Sequence, residues 1–219
     1  MIKAVLFDLD GTFADTAPDL CYALNLMRTA RGLAPVALEV TRPVTSMGAR
    51  GLLNAGFGIQ PDHPDYQAMR DEFLDLYEQN LCHETGLFPG TLELLAVIES
   101  RGLKWGIVTN KAERFTLPLL EQLHMGSRAA CVIGGDTTGK LKPHPEPLLA
   151  ASRRIAVAPE ACVYVGDDQR DIAAGRAAGM MTIAVTYGYL NGSDPAAWGA
   201  DAVIGHPREL LDHLGVCRT

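Results

Sequence analysis

The sequence predicts an α/β fold, a Rossmann-like doubly wound parallel sheet with one all-helical insertion. Three observations lead there. Short, unbroken apolar runs recur along the chain, as expected of strands covered on both faces. Stretches of helical periodicity lie between them, the alternation that a parallel sheet requires. From about residue 15 to residue 82 the alternation stops, and only helical spacing is found.

Taken in order, Ala4 to Phe7 is the first apolar run, ended by Asp and Gly. Asp19 to Arg31 then has helical spacing, with Leu20, Ala23, Leu24 and Met27 on one face. Ala49 to Ala55 reads as a second, short helix. Tyr66 to Leu81 reads as a third, aligning Met69, Phe73, Leu76 and Tyr77. No strand is expected in this unit, whose margins are marked by Pro18 and by Thr85 to Gly90. Residues 1–14 and 83–219 are therefore expected to form the α/β core, and 15–82 the insertion.

Beyond the insertion, Leu92 to Ser100 reads as a helix stopped by Gly102. Trp105 to Thr109 is a strand, and Glu113 to His124 a helix that Pro118 must enter early or kink. Ala130 to Ile133 is a strand, followed by a helix over Pro145 to Ala156 that opens on prolines, as a first turn tolerates. Cys162 to Val165 and Thr182 to Val185 are strands that bracket a helix over Asp168 to Ala178. A weaker strand at Ala202 to Ile204 and a helix over Pro207 to Leu214 close the chain.

At 47% hydrophobic and 21% charged, the 219 residues have ordinary globular composition. A net charge of −7 argues against nucleic-acid binding, which draws on clustered Lys and Arg. It leaves room for an anionic substrate where a divalent cation makes a pocket locally positive. The five cysteines, Cys21, Cys82, Cys131, Cys162 and Cys217, are odd in number and form no C-x-x-C pair. They read as reduced thiols, several of them in the core. The N-terminal apolar run is too short for a signal segment, and nothing approaches the roughly 20 apolar residues of a membrane helix. A cytoplasmic protein without membrane partners is expected, as monomer or homodimer. No G-x-G-x-x-G follows a strand and no P-loop is present, which disfavours a dinucleotide-dependent dehydrogenase.

Four polar clusters follow strands or open helices, where open α/β sheets bind ligands. Asp8-Leu9-Asp10-Gly11-Thr12 places two carboxylates one residue apart after the first strand. Such a pair repels unless something positive lies between, and Mg2+ with oxygen ligands suits phosphate chemistry. Thr109-Asn110-Lys111 offers a hydroxyl, an amide and a backbone N–H to phosphate oxygens. Lys142, followed by Pro143, can set a point charge on phosphate, with Lys140 two residues away as the competing choice. Gly166-Asp167-Asp168-Gln169-Arg170-Asp171 opens a helix with three acids. Taken singly, the first two clusters also read as turns, Lys142 as a solvated side chain, and one or two of the three acids as helix caps.

In this order the clusters resemble the haloacid dehalogenase superfamily, with its Asp-x-Asp-x-Thr loop, later Ser or Thr, Lys, and acidic Gly-Asp-x-x-x-Asp loop. The resemblance covers essentially the whole chain, and the inserted helices resemble that family's cap. It implies that Asp8 is the nucleophile and Asp10 the general acid and base. It further implies that Gly11, Thr109, Asn110 and Lys142 surround the phosphoryl group. The implied Mg2+ set is Asp8, Asp10 through its backbone carbonyl, Asp167 and, directly or from behind, Asp171, with Asp168 less defined. Asp10 also separates a phosphatase from a haloacid dehalogenase, which lacks this second acid. Within the superfamily the chain resembles the phosphoglycolate phosphatase-like branch. The stretches Trp105 to Phe115, Val165 to Arg176, Tyr187-Gly188-Tyr189 and Trp198 to Asp201 resemble the N-acetylmuramic acid 6-phosphate phosphatases. The implied substrate is a small phosphomonoester, 2-phosphoglycolate or N-acetylmuramic acid 6-phosphate. Gly48 and Arg50, at the start of an inserted helix, are candidates for gripping its carboxylate. A phosphosugar mutase on the same core and a non-catalytic binding protein are the alternatives.

Overall fold

The computed structural model describes residues 1–215. In chain order it contains β1 (Ala4–Phe7), β2 (Ala14–Asp15), α1 (Ala17–Ala30), α2 (Leu38–Thr41), α3 (Gly48–Phe57), α4 (Tyr66–Gln79) and β3 (Gly86–Leu87). There follow α5 (Thr91–Ser100), β4 (Lys104–Val108), α6 (Glu113–Gln122), β5 (Cys131–Ile133), α7 (Glu146–Ile155), β6 (Cys162–Gly166), α8 (Gln169–Ala177), β7 (Met181–Val185) and β8 (Ala202–Ile204). Six strands form one wholly parallel sheet in the order β5-β4-β1-β6-β7-β8. This is the expected doubly wound α/β architecture.

The first strand lies in the middle of the sheet. Later strands add to one side of it and then, after a reversal, to the other, so the topological switch point sits beside β1. Phe7 pairs in register with Ile107 on one side and Val165 on the other, so the chain leaves β1, β4 and β6 at one common edge. Side chains alternate across the sheet. Val5 and Phe7 enter the layer of Leu94, Ile98 and Leu119, while Ala4 and Leu6 enter the opposite layer of Leu148, Ile155 and Ala174.

The inserted helices have an apolar core of their own. Leu20, Leu24 and Met27 of α1 meet Leu52 and Leu53 of α3 and Phe73 and Tyr77 of α4. Phe115 of α6 joins this cluster, with its ring centroid 5.6 Å from that of Tyr77. The outgoing and returning chain are tied together by the antiparallel pair β2 and β3. Buried Asp19 adds to that tie, accepting from Glu84 N, Thr85 N and Thr85 Oγ1.

Several local expectations change. The pair β2 and β3 escapes sequence reading because two residues carry no period. Leu38–Thr41 and the 3₁₀ segment Arg42–Met47 also escape it, being too short to carry a helical period. Pro207–His213 winds as 3₁₀ rather than α, a geometry frequent in short terminal segments. Pro118 lies inside α6 on an exposed face, where water can take the carbonyl that its missing N–H leaves free. Cys21, Cys131 and Cys162 are buried, Cys82 is partly so, and all four are free thiols. Cys217 lies outside the described residues. No helix among the described residues is long and apolar enough to cross a membrane.

Phe13, fully buried, stacks on Trp105 at 5.4 Å and tilts against Phe7 at 5.7 Å, anchoring the loop that leaves β1. Phe13→Ala is expected to lower stability by about 3–5 kcal/mol. The check is the urea midpoint at unchanged slope.

Candidate active site

The loop after β1 turns sharply because Gly11 adopts φ +86°. A Cβ at Gly11 would lie 2.2 Å from Asp167 Oδ2, so glycine also permits the close approach of a carboxylate from the end of the neighbouring strand β6. Asp8 follows β1 directly, and its N–H donates to Val165 O at 2.9 Å. Thr109 follows β4 and Asp167 follows β6. These residues, far apart in sequence, meet because parallel strands end together.

Lys142 is 4% exposed, whereas Lys140 is exposed to solvent. Its Nζ lies 2.9 Å from Asp8 Oδ1 and 2.7 Å from Asp171 Oδ1. It also donates to Tyr164 Oη at 2.8 Å and Val108 O at 3.2 Å. Burial alone would lower its pKa, but Asp171 and Asp8 more than offset that and hold it above the ordinary value. Asn110 departs from the expectation of an amide facing phosphate. Its amide pairs reciprocally with the Lys142 backbone, Nδ2 donating to Lys142 O at 3.0 Å and Oδ1 accepting from Lys142 N at 2.9 Å. Its side chain thus places Lys142.

The three acids of the loop after β6 do three different things. Asp167, 1% exposed, accepts from Thr12 Oγ1 at 2.9 Å, Tyr189 N at 2.8 Å and Ser46 Oγ at 3.3 Å. No ion-pair partner faces it among the described residues. Asp168 caps α8 by accepting from Arg170 N, and it pairs with the Arg170 side chain at 2.7 Å. Burial pushes the Asp168 carboxyl up, but Arg170 outweighs that and holds it below the ordinary value. Asp171 completes the capping box at Asp168 N, 3.1 Å, and holds Lys142 with its other oxygen.

One oxygen each of Asp8, Asp167 and Asp171 lies within 4.8 Å of the others. Burial and the charges of Asp8 and Asp171 push Asp167 well above the ordinary carboxylate range. Asp171 is pushed up to about 6 by burial, a rise that Lys142 only moderates. Lys142 pairs with Asp8 and Asp171 but not with Asp167, so one ammonium among three buried carboxylates leaves a local deficit of about two positive charges. Donor type and charge both fit a hard divalent cation.

Asp10, in contrast, turns its carboxylate out of this cluster. Its Oδ1 accepts from Thr16 Oγ1 at 2.5 Å and from Lys111 Nζ at 3.0 Å. Lys111 was read from sequence only as a backbone donor. Its ammonium in fact lies over the Tyr77 ring, 4.6 Å from the centroid, joining the strand edge to α4. Thr109, buried, accepts from Lys111 N at 3.2 Å, which leaves its hydroxyl proton free to donate. A cavity of about 400 Å³ runs from Asp8, Asp10, Thr109, Asn110 and Lys142 to the inserted helices. Leu20, Phe73, Leu74 and Phe115 give it an apolar side. Gly48 and Arg50 at the start of α3 and Arg70 of α4 also line it. Arg50 has no side-chain hydrogen bond or ion pair among the described residues. Ser46, Arg170, Tyr164 and Tyr189 are site neighbours that sequence reading did not assign. Arg170 falls within the acidic Gly166 to Asp171 cluster and Tyr189 within Tyr187-Gly188-Tyr189, both as patterns that give these two side chains no role.

The sequence profile of the haloacid dehalogenase-like hydrolases matches residues 5–185. The chain is 46% identical to an N-acetylmuramic acid 6-phosphate phosphatase of Pseudomonas aeruginosa, over 97% of its length and 95% of the relative's. It is 47% identical to a phosphoglycolate phosphatase of Xanthomonas campestris pv. campestris, over 96% and 95%. A crystal structure of a predicted phosphoglycolate phosphatase from Haemophilus somnus has a TM-score of 0.85 at 25% identity, covering 97% of both chains.

The charge deficit has a measurable consequence. Without a cation, folded Asp171 titrates near 6 against an ordinary 3.8, so between those values it holds a proton that the unfolded chain has released. Stability of the cation-free protein therefore falls as pH rises through that window, by on the order of 3 kcal/mol. Mg2+ is expected to raise the melting temperature more at pH 7.5 than at pH 5. Equal shifts at both values in calorimetry would contradict the charge argument.

Proposed function

The chain belongs to the haloacid dehalogenase-like hydrolase family, and on that premise we propose that it is a Mg2+-dependent phosphomonoesterase working through an aspartyl-phosphate. The observation that carries the proposal is the buried set Asp8, Asp167 and Asp171, of which Lys142 pairs with two, short of two positive charges. Asp8, Asp167 and the backbone carbonyl of Asp10 would hold the cation. Asp171 supports them by fixing Lys142, since its two oxygens are engaged by Lys142 and Asp168 N. When bound, the cation neutralises phosphoryl charge and draws Asp8 and the substrate together.

Asp8 attacks phosphorus while the ester P–O bond breaks. Asp10 gives the departing oxygen its proton. Both hydrogen bonds of Asp10 land on Oδ1, so Oδ2 is the oxygen that carries this proton. Water then attacks the phosphorus of the aspartyl-phosphate and delivers its proton to Asp10. The bond to Asp8 breaks, releasing phosphate. The Thr109 hydroxyl and Lys142 stabilise charge on the transferring group.

The substrate we favour is a phosphorylated sugar acid of the N-acetylmuramic acid 6-phosphate type. A cavity of about 400 Å³ falls within the roughly 300–1,000 Å³ typical of sites for drug-sized ligands. A two-carbon acid would leave its apolar side bare. Residues 15–82 act as a cap that supplies this side together with Arg50, which grips the carboxylate. The competing reading, 2-phosphoglycolate, rests on relatives of that name at similar identity.

Phosphate release from a panel of phosphomonoesters tests both levels. Activity is expected to require Mg2+, to vanish in Asp8→Asn, and to favour N-acetylmuramic acid 6-phosphate over 2-phosphoglycolate in kcat/KM. Activity indifferent to EDTA would end the cation reading, and the reverse preference would end the assignment of the substrate.

Arg50→Ala is expected to raise KM about tenfold for carboxylate-bearing substrates, as loss of a charged hydrogen bond implies. A neutral hexose phosphate should change far less. A uniform rise across the panel would remove Arg50 from specificity.

A further inference from the structure

We infer that Tyr189 is a positioning residue for Asp10, acting through Thr16 at the junction where the inserted helices leave the core. The inference rests on the phosphatase reading above and assigns a role to a residue that reading does not use.

Tyr189 lies in the loop after β7 and is 2% exposed. Its phenolic oxygen accepts from Thr16 N at 2.8 Å and from Ala17 N at 3.0 Å, and it donates to Asp15 Oδ1 at 2.7 Å. A phenol has one proton and two lone pairs, so its capacity is filled. Burial, reinforced by Asp15, holds the phenol well above its ordinary pKa, so it keeps the proton that it gives to Asp15. The three partners are the last residue of β2, the first of α1 and Thr16 between them. Asp15 also pairs with Arg42 of the inserted unit at 2.8 Å, and that guanidinium lies 5.9 Å from the Tyr189 ring centroid.

Beside the β2–β3 pair and Asp19, one phenolic oxygen thus holds three groups of the junction. Thr16, whose N–H that oxygen receives, turns its hydroxyl to Asp10 Oδ1 at 2.5 Å. Thr16 is fully buried, so its backbone amide has no water to fall back on if the phenol is removed. A shift of this turn would move the hydroxyl that orients the Asp10 carboxylate. The backbone of Tyr189 has a separate task, with its N–H donating to Asp167 Oδ2 at 2.8 Å. Gly188 makes that possible, because a Cβ there would lie 2.3 Å from Asp167 Cβ and 2.4 Å from Gly11 O. Tyr189→Phe deletes the phenolic contacts and keeps the backbone one.

Asp10 matters most where the departing oxygen is a poor leaving group, because a proton must then be supplied. The test compares an alkyl ester, N-acetylmuramic acid 6-phosphate or 2-phosphoglycolate, with p-nitrophenyl phosphate. In Tyr189→Phe, kcat/KM for the alkyl ester is expected to fall at least tenfold further than for the aryl ester, with the Mg2+-induced rise in melting temperature preserved. Thr16→Val, which removes the hydroxyl directly, is expected to shift the same ratio, and the double variant to be no worse than the poorer single one. Equal losses on both esters, or no loss on either, would overturn the role of Tyr189. So would a lost Mg2+ response, which would place its effect at the cation site, or fully multiplicative losses in the double variant. If Tyr189→Phe fails to fold, an unchanged ratio in Thr16→Val overturns the inference alone. Wild-type protein that hydrolyses neither ester would overturn the phosphatase reading and this one with it.

Discussion

Lys142 Nζ lies within 3.2 Å of four oxygen atoms, those of Asp8, Asp171, Tyr164 and the Val108 carbonyl. Removing an ammonium from water is expensive, and only well-placed acceptors offset the loss. The sheet supplies them. Val108 closes β4, Tyr164 stands on β6, Asp8 follows β1, and Asp171 sits in the first turn of α8. Asn110 fixes the Lys142 backbone from the same edge. The order of the central strands β4, β1 and β6 is therefore also the condition for holding this charge.

The arrangement is satisfied around Lys142 and unsatisfied around Asp167. Neutral donors from Thr12, Ser46 and Tyr189 surround Asp167, and burial raises the cost of its ionisation. A purely structural cluster would be expected to balance its charges, whereas a cation site retains the deficit its ion fills. Asp10 stands outside the deficit, held by Thr16 and Lys111 in a different direction. One loop thus presents two acids to two environments, which is how chemically identical groups take different roles.

The inserted helices are not merely laid over this edge. Ser46 donates to Asp167, Arg170 donates to Ser46 O at 2.7 Å, and Lys111 lies over Tyr77. Tyr189 holds both the junction and, through its backbone, Asp167. Where the helical unit sits and how the acids are held are consequently linked by direct bonds. The cavity is lined from both sides of that linkage.

Much of this was legible in the chain itself. Unbroken apolar runs such as Ala4 to Phe7 identify strands buried on both faces, because only a two-sided sheet tolerates no polar alternation. Acids and a glycine just after such runs single out one sheet edge, and Asp8, Asp167 and Lys142 lie close together there. Short elements without a period, such as β2 and β3, were not legible. Neither were the partners of Asp10, the placing role of Asn110, or the post formed by Tyr189, since each depends on contacts across 6 to 174 residues of sequence. By itself, the sequence determined which residue types follow which strands, because periodicity and turn chemistry are local. Only the tertiary structure decided which carboxylate faces which cation or donor, because hydrogen bonds and burial are set by the neighbours that folding brings together.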